Sequence, residues 1–209
     1  MDLRWHGLSC FHLSEHNMAT VVTDPYNGNL GLPTLKLKAD VVTVSHDARG
    51  HNAVQTVADY EFALTGPGEY EIGGVFITGI GTAQSVNSVE NVLFMFDYNG
   101  VIVAHLGDMA KVPTQTQIEA LEQIHVLLLP VGGGNSLNAA QAAELVSMLD
   151  PNIVVPMHYS MPDLELDLDG VERFLNEMGV TDPTEDSSLR VSSGSLSEET
   201  EVVILTPTL

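Results

Sequence analysis

The sequence predicts a layered α/β (α+β) domain, and three observations support this fold class. The first half of the chain has the pattern of short strands and hairpins, and the second half alternates helical and strand periods. The composition is that of an ordered, turn-rich protein, with 44% hydrophobic residues, 18 glycines and 10 prolines. A chain of 209 residues suits one substantial core, so we expect a single domain over residues 1–209.

The strands of the first half are short and rich in β-branched residues. "LRWHGLSCFHL" and "MATVVTDP" alternate in polarity or carry consecutive valines, which is typical of strands. "ADVVTVSH" is a continuous apolar run, which indicates a strand that is buried on both faces. The stretch "AVQTVADY" that follows predicts a short helix.

Glycines and one turn dipeptide set the strands in the middle of the chain. Glycines divide "FALTGPGEYEIGGVFITGIGT" into two or three short strands. "NVLFMFDYNGVIVAHLGD" predicts a hairpin, because Asn99-Gly100 is the dipeptide that a two-residue loop prefers.

The second half of the chain alternates helices and strands. "VPTQTQIEALEQI" predicts a helix with Thr114 and Gln117 as its capping box. The elements after it are the strand "HVLLLPV", the helix "SLNAAQAAELVSML", the strand "NIVVPMHY", the helix "GVERFLNEM" and the strand "TEVVILTP".

The charge balance and the single cysteine exclude several classes of function. Seven Lys and Arg face 28 Asp and Glu, a net charge of -21, so the surface repels phosphate backbones and no nucleic-acid partner is expected. A high-salt environment also favours such a composition. No apolar run is long enough to span a membrane, and the N-terminus lacks a signal-peptide pattern. Cys10 has no partner for an intrachain disulfide, so we expect a cytoplasmic protein and leave its oligomeric state open.

Polar groups follow several of the apolar strands and mark the candidate site. His46, Asp108 and His158 each come at the end of such a strand, and His51 follows His46. Three histidines and an aspartate that converge in this way could bind zinc, iron or manganese. The neighbours Ser45-His46-Asp47 are rejected as a catalytic triad, because neighbouring side chains on a strand point to opposite faces. The glycines 132–134 resemble a phosphate loop only weakly, and a close approach of the backbone to the site explains them better.

Six motifs together resemble the metallo-β-lactamase fold, and in particular its small zinc-dependent, lactonase-like hydrolases. They occur in the family's order along nearly the whole chain: "W-x-G-x-S" at Trp5–Ser9 with "TDPY" at Thr23–Tyr26, "HDARGH", "GPGEYEIGGVFITGI", "HLGD", "LLLPVGGG" and "VVPMHY". The resemblance implies a four-layer αββα sandwich with one or two metals at one edge of its two sheets.

The family's metal loop H-x-H-x-D-H is degenerate in this chain. His46 and His51 match its first and last histidines, but Ala48 and Gly50 stand where the family has a histidine and an aspartate. Asp108 matches the bridging aspartate and His158 the final histidine. The family's further histidine is missing, with Gln84 as the nearest polar stand-in, and Leu8 replaces the histidine of the N-terminal motif.

The resemblance therefore implies one metal ion or none. His46, His51, Asp108 and His158 are the predicted ligands of one zinc, manganese or iron ion, and Asp108 and His51 are the predicted catalytic residues. The first hypothesis is a divergent hydrolase that uses this ion to activate water against a small ester, lactone, amide or phosphoester. The alternative is a catalytically inactive member of the family that acts as a binding or assembly protein, its polar residues satisfied by hydrogen bonds.

Three further polar residues near these motifs have more than one interpretation. His105 could be a ligand by residue type, but a hydrogen-bonded role in the core fits its place on a strand better. Asp24 could form a turn or orient a ligand, and the resemblance favours the second role. Arg49 could fill space left by a metal or meet an anion, and exposure to solvent is its default interpretation.

Overall fold

A computed structural model describes residues 1–82, 91–114, 118, 121 and 123–209. Most of its strands form two mixed sheets, and a two-stranded ladder accompanies them. In spatial order, the first sheet consists of β15 (Leu189–Arg190), β1 (Asp2–Trp5), β2 (Phe11–Ser14), β3 (Val21–Thr23), β5 (Val41–Thr43) and β7 (Phe62–Leu64). The second sheet consists of β14 (Thr184–Asp186), β16 (Glu201–Leu205), β13 (Ile153–Met157), β12 (Val126–Pro130), β11 (Val101–His105), β10 (Asn91–Tyr98), β9 (Val75–Thr82) and β8 (Gly68–Ile72).

The remaining described elements are short. The ladder pairs β4 (Leu37–Lys38) with β6 (Val57–Ala58). The α-helices are α1 (Ala139–Leu149) and α2 (Val171–Met178), and the 3-10 turns are Gly28–Leu30, Val54–Thr56 and Ser193–Ser195. Within the described ranges, every helix is too short or too polar to span a bilayer.

The main core lies between the two sheets. Trp5 and Phe11 from the first sheet and Phe94 and Phe96 from the second belong to one buried cluster. The Tyr98 hydroxyl donates to the carbonyl of Ala19 over 3.1 Å and so also joins the sheets. Full burial of each such aromatic side chain stabilises the fold by roughly 1.5–3 kcal/mol. The large apolar residues of the first half therefore hold the two sheets together.

The helices of the second half cover the second sheet. Asn138 and Gln141 form a reciprocal capping box at the start of α1, and Ala142 and Leu145 enter the same buried cluster as the sheets. Phe174 of α2 is fully buried in this cluster. The predicted alternation of helices and strands in this half is confirmed.

The other face of the first sheet is covered without a described α-helix. Val22 and Val42 point away from the main core, because side chains alternate along a strand, and pack with Leu30 and Leu35 in a second cluster. The predicted helix in "AVQTVADY" is wrong. Its residues form the 3-10 turn and then β6, because the β-branched Val54, Thr56 and Val57 disfavour a helix and Val57 pairs with Leu37 in the ladder.

Two local predictions have different outcomes. The hairpin of β10 and β11 is confirmed, and Asn99 and Gly100 have φ of 53° and 84°, as a tight left-handed turn requires. The predicted helix over "VPTQTQIEALEQI" lies partly outside the described residues, as does Gln117 of its capping box. The Ile118 amide donates to the carbonyl of Thr114 over 3.0 Å.

Parallel pairing decides where strand ends meet. β3 runs parallel to β5, and β11, β12 and β13 are parallel to one another. The carboxyl ends of parallel strands lie at one edge of a sheet, so the residues that follow them come close together.

Candidate metal centre

The predicted site residues follow these parallel strands and meet around one carboxylate. His46 and His51 follow β5, Asp108 follows β11 and His158 follows β13. His46 Nε2 and His51 Nε2 lie 3.7 and 3.3 Å from Asp108 Oδ2. His158 Nδ1 lies 3.6 Å from Asp108 Oδ1. All four predicted ligands are therefore brought together at one place.

The tightest group consists of His46, His51 and Asp108. One donor atom from each of these residues lies within 4.8 Å of the other two. The rings of His51 and His158 are 5.3 Å apart between centroids, so His158, which is itself buried, stands beside this group. Imidazole nitrogens and a carboxylate are ligands that suit zinc, iron or manganese.

Two buried atoms at the centre of the cluster have no hydrogen-bond partner. Among the described residues, Asp108 Oδ1 and His158 Nδ1 are both buried and unpaired, although they face each other. A buried polar atom without a partner costs roughly 1–3 kcal/mol. A cation between the carboxylate oxygen and the imidazole nitrogen would give both atoms a partner, so these residues fit a metal ion.

Asp24 orients His51 through a hydrogen bond to the Nδ1 atom of its ring. It follows β3, is fully buried and has a φ of 39°. Its Oδ2 is 2.9 Å from His51 Nδ1, and its two oxygens accept the amide and the hydroxyl of Ser45, each over 2.6 Å. When His51 Nδ1 donates to Asp24, Nε2 is the nitrogen left to face Asp108. Orientation of a ligand, one of the two interpretations of Asp24, is therefore the role that its contacts support.

Ser45 extends this control to His46. Its hydroxyl oxygen lies 3.0 Å from His46 Nδ1 while the hydroxyl donates to Asp24. His46 Nδ1 can donate to this oxygen, which leaves Nε2 towards Asp108. Sequence reasoning missed this role, since it depends on Asp24 lying beneath the loop.

Asn91 holds the backbone of Asp108. This side chain is only 1% exposed, and its Oδ1 accepts the amide of Asp108 over 3.0 Å while its Nδ2 donates to the carbonyl of Leu106. Sequence reasoning also missed Asn91. An asparagine directly before the apolar run "VLFMF" is the one sequence signal that could have identified it.

Opposing effects set the charges of the cluster. Burial alone would lower the pKa of His51, but the carboxylates of Asp108 and Asp24 raise that pKa to about 10. Burial alone would raise the pKa of Asp108, but the histidines around it hold it well below its usual range. Burial lowers the pKa of His46 and of His158. His46 and His158 are therefore neutral at neutral pH and can each offer a lone pair to a metal, whereas His51 carries a proton that it releases when a metal binds.

The triple-glycine loop supports His158. A Cβ at Gly132 would stand 2.2 Å from the carbonyl oxygen of His158, so only glycine lets the two backbones pass this closely. The Gly132 amide donates to that carbonyl over 3.1 Å. On the other side, the His158 amide donates to the carbonyl of Leu8, and His158 has a φ of 51°. The interpretation of this loop as a close backbone approach is confirmed.

Three other candidate residues lie apart from the tight group. His105 is fully buried, and its Nε2 is 2.8 Å from the carbonyl oxygen of Ser9, so its predicted core role is confirmed. Gln84 lies outside the described residues. Arg49 is exposed, in agreement with its default interpretation.

An apolar contact replaces the missing aspartate of the loop. Gly50 is buried with a φ of +100°, a conformation that other residues rarely adopt. A Cβ at this position would lie 3.0 Å from a methyl carbon of Leu30 and 3.6 Å from one of Leu8. Two of the family's lost polar positions, Leu8 and Gly50, therefore lie next to each other and now border an apolar cluster.

Restoring the family's loop residues is expected not to raise the affinity for metal. In the variant Ala48→His/Gly50→Asp, the new aspartate is strained by the backbone and presses on Leu30, which should lower the free energy of unfolding by roughly 1–3 kcal/mol. Zinc titration and thermal unfolding would measure both effects, with Ala48→His alone as the control. A double variant that binds zinc about tenfold more tightly than this control would show that the loop can accommodate the carboxylate.

The fold and the cluster together define a class of protein. Two stacked sheets with histidines and a carboxylate at the ends of their strands are the arrangement of the metal-dependent hydrolases of the metallo-β-lactamase fold. The chain belongs to this superfamily, since the profile of the Beta-lactamase superfamily domain matches residues 2–158.

Curated relatives and solved structures agree with this assignment. The UPF0173 metal-dependent hydrolase of Natranaerobius thermophilus is 30% identical over 189 residues, which cover 77% of this chain and 84% of the relative. A crystal structure of a candidate Zn-dependent hydrolase of the metallo-beta-lactamase superfamily from Thermotoga maritima has 33% identity and a TM-score of 0.82, and the match covers 98% of this chain and 97% of the other. Igni18, a metallo hydrolase from Ignicoccus hospitalis, shares the fold with a TM-score of 0.68 and 21% identity, over 91% of this chain and 99% of its own.

Proposed function

We propose that this protein is a hydrolase of small molecules that works with one divalent metal ion. The observation that carries the proposal is that two buried atoms, Asp108 Oδ1 and His158 Nδ1, have no hydrogen-bond partner among the described residues. They lie beside the tight group of His46, His51 and Asp108. Zinc, manganese and iron all suit these ligands. The substrate is a small ester, lactone, amide or phosphoester.

The residues of the centre have separate tasks in this proposal. His46, His51, Asp108 and His158 would hold the ion, and when bound it would supply water activation and polarisation of the scissile group. Asp24 and Ser45 keep the Nε2 atoms of the two loop histidines directed at Asp108. Asn91 fixes the Asp108 backbone, so the carboxylate is held in place before substrate binds.

Proton transfer falls to Asp108 and His51. In the family the motif aspartate stands at position 50, and Gly50 has no side chain with which to orient water. Asp47 does not replace it, because its carboxylate is hydrogen-bonded by the Asn52 side chain. With Oδ1 held by the ion, Asp108 Oδ2, which lies 3.3 Å from His51 Nε2, would be the carboxylate oxygen left to accept a proton from the attacking water. Because these two atoms are close, the protonation of each group depends on the other. The two residues therefore act as one catalytic unit.

The alternative, a catalytically inactive binding or assembly protein, is not favoured. Relatives such as those of Lysinibacillus sphaericus and Natranaerobius thermophilus are named metal-dependent hydrolases, and the three predicted histidine ligands lie around Asp108. A cytoplasmic location and the lack of a nucleic-acid partner stay predictions.

A metal assay combined with hydrolysis tests the proposal. Protein purified without chelator and then incubated with zinc or manganese should hold about one ion per chain. His51→Ala and His158→Ala should each weaken binding of this ion by at least about tenfold, and hydrolysis of 4-nitrophenyl acetate should fall with metal occupancy. His16→Ala, an exposed histidine away from the site, is the matched control. Wild-type protein that stays free of metal in excess zinc and manganese would refute the proposal.

A further inference from the structure

An arginine lies inside the metal loop itself. Arg49 stands between His46 and His51, in a turn closed by hydrogen bonds from the Ala48 amide to the His46 carbonyl and from the His51 amide to the Ala48 carbonyl, over 3.0 and 3.1 Å. Its side chain is exposed, while both histidines face Asp108. The loop that carries two of the predicted ligands therefore also carries a positive charge in contact with solvent.

This arginine has no ion pair with any residue that the structure describes. Four of the chain's seven basic side chains do have such pairs: Arg4 and Arg190 with Asp2, Lys38 with Asp59 and Arg173 with Asp169. Lys36 and Lys111 resemble Arg49 in this respect, but they lie outside the loop between the two histidines.

Arg49 lacks an ion pair among the described residues although several acidic residues lie in or near its loop. Asp47 in the same loop is engaged by Asn52. The acidic segment 163–169 packs beside the loop, since the Glu165 amide donates to the carbonyl of Leu30, a residue that borders Gly50. Asp24 and Asp108 both contact His51, so these two acids already have a cationic partner. Among the described residues, Arg49 thus remains available to a ligand.

We propose that Arg49 makes this site select substrates that carry an oxyanion group, a phosphate or a carboxylate, next to the bond that is hydrolysed. The inference rests on the proposed function and names its substrate class. A guanidinium group presents a rigid fork of donors that matches both groups in bidentate geometry. A surface with a net charge of -21 repels anions, and a cation carried by the loop of His46 and His51 would offset this repulsion for an anionic substrate.

Matched esters test this selectivity. Hydrolysis of neutral 4-nitrophenyl acetate would be compared with that of mono-4-nitrophenyl succinate and bis-4-nitrophenyl phosphate, at constant potassium chloride concentration, in zinc-loaded wild type, Arg49→Gln and Arg49→Lys. We expect Arg49→Gln to raise KM for the preferred anionic ester about tenfold and to leave KM for the neutral ester unchanged. KM of Arg49→Lys for the anionic ester should lie between those of wild type and Arg49→Gln, because lysine keeps the positive charge but lacks the forked donors of the guanidinium group. The two anionic esters distinguish a carboxylate from a phosphate.

An arginine far from the loop provides the control for the Arg49 variants. Arg190→Gln removes an exposed arginine on β15 and should leave KM unchanged for the neutral and the anionic esters. If Arg49→Gln leaves the ratio of anionic to neutral hydrolysis unchanged, Arg49 is a solvent-facing residue and the inference is wrong, while the proposed hydrolase stands. If no ester is hydrolysed by any variant, calorimetric titration with inorganic phosphate still tests Arg49: an affinity equal in wild type and Arg49→Gln overturns the anion site, and a loss of about tenfold supports it.

Discussion

Gly107→Ala is expected to remove metal binding and to lower the free energy of unfolding by roughly 2–5 kcal/mol. A Cβ on Gly107 would lie 2.3 Å from Asn91 Oδ1 and 2.5 Å from Ser45 Cβ, and the residue has a φ of +58°. Asn91 holds the backbone of Asp108, and Ser45 links Asp24 to His46. One added methyl group therefore displaces the supports of two predicted ligands at once.

Two measurements on a pair of variants check this result. Gly194→Ala is the matched control, because a Cβ there meets nothing within 4 Å and its φ is not left-handed. Chemical unfolding would give the change in stability, and zinc titration the change in affinity. A Gly107→Ala protein with the zinc affinity and stability of the control would mean that Asn91 and Ser45 can move aside without disturbing Asp108.

Salt is expected to stabilise this protein strongly. The net charge of -21 places like charges over the whole surface, and their mutual repulsion opposes the compact state. The screening length falls from about 10 Å at 0.1 M salt to about 3 Å at 1 M. The thermal midpoint should therefore rise by on the order of 10 °C between these potassium chloride concentrations, which corresponds to a few kcal/mol for a chain of this size.

Charge removal separates this screening from a general salt effect. Glu177→Gln, Asp182→Asn and Glu198→Gln neutralise three exposed acids that have no salt bridge among the described residues. The combined variant should be more stable at 0.1 M salt and should gain less from added salt. A slope equal to that of wild type would show that ion binding or solvent effects, not charge repulsion, govern the stability.

Much of the fold could be predicted because the period of the apolar residues matches the layers. The valine runs of β3 and β5, the turn at Asn99 and the helical spacing of α1 each define their element locally. The short strand β6 after the turn Val54–Thr56 could not be predicted in this way, because Val57 pairs with Leu37, which is distant in sequence. The organisation as a single domain over residues 1–209 stays a prediction.

The convergence of the four candidate residues could be predicted from the sequence, but the groups that support them could not. His46, His51, Asp108 and His158 follow apolar strands, and this placement is visible in the sequence. Ser45 and Asn91 act through hydrogen bonds that depend on which strand ends become neighbours. No local pattern encodes that adjacency. The ligand role of the four residues stays a prediction until metal binding is measured.

The apolar contact around Gly50 determines what a carboxylate at this position would require. Leu8 and Leu30 are fully packed against that position, and the backbone there favours glycine. An aspartate at position 50 alone would meet both leucines on a strained backbone, so a carboxylate there requires smaller side chains at positions 8 and 30 as well.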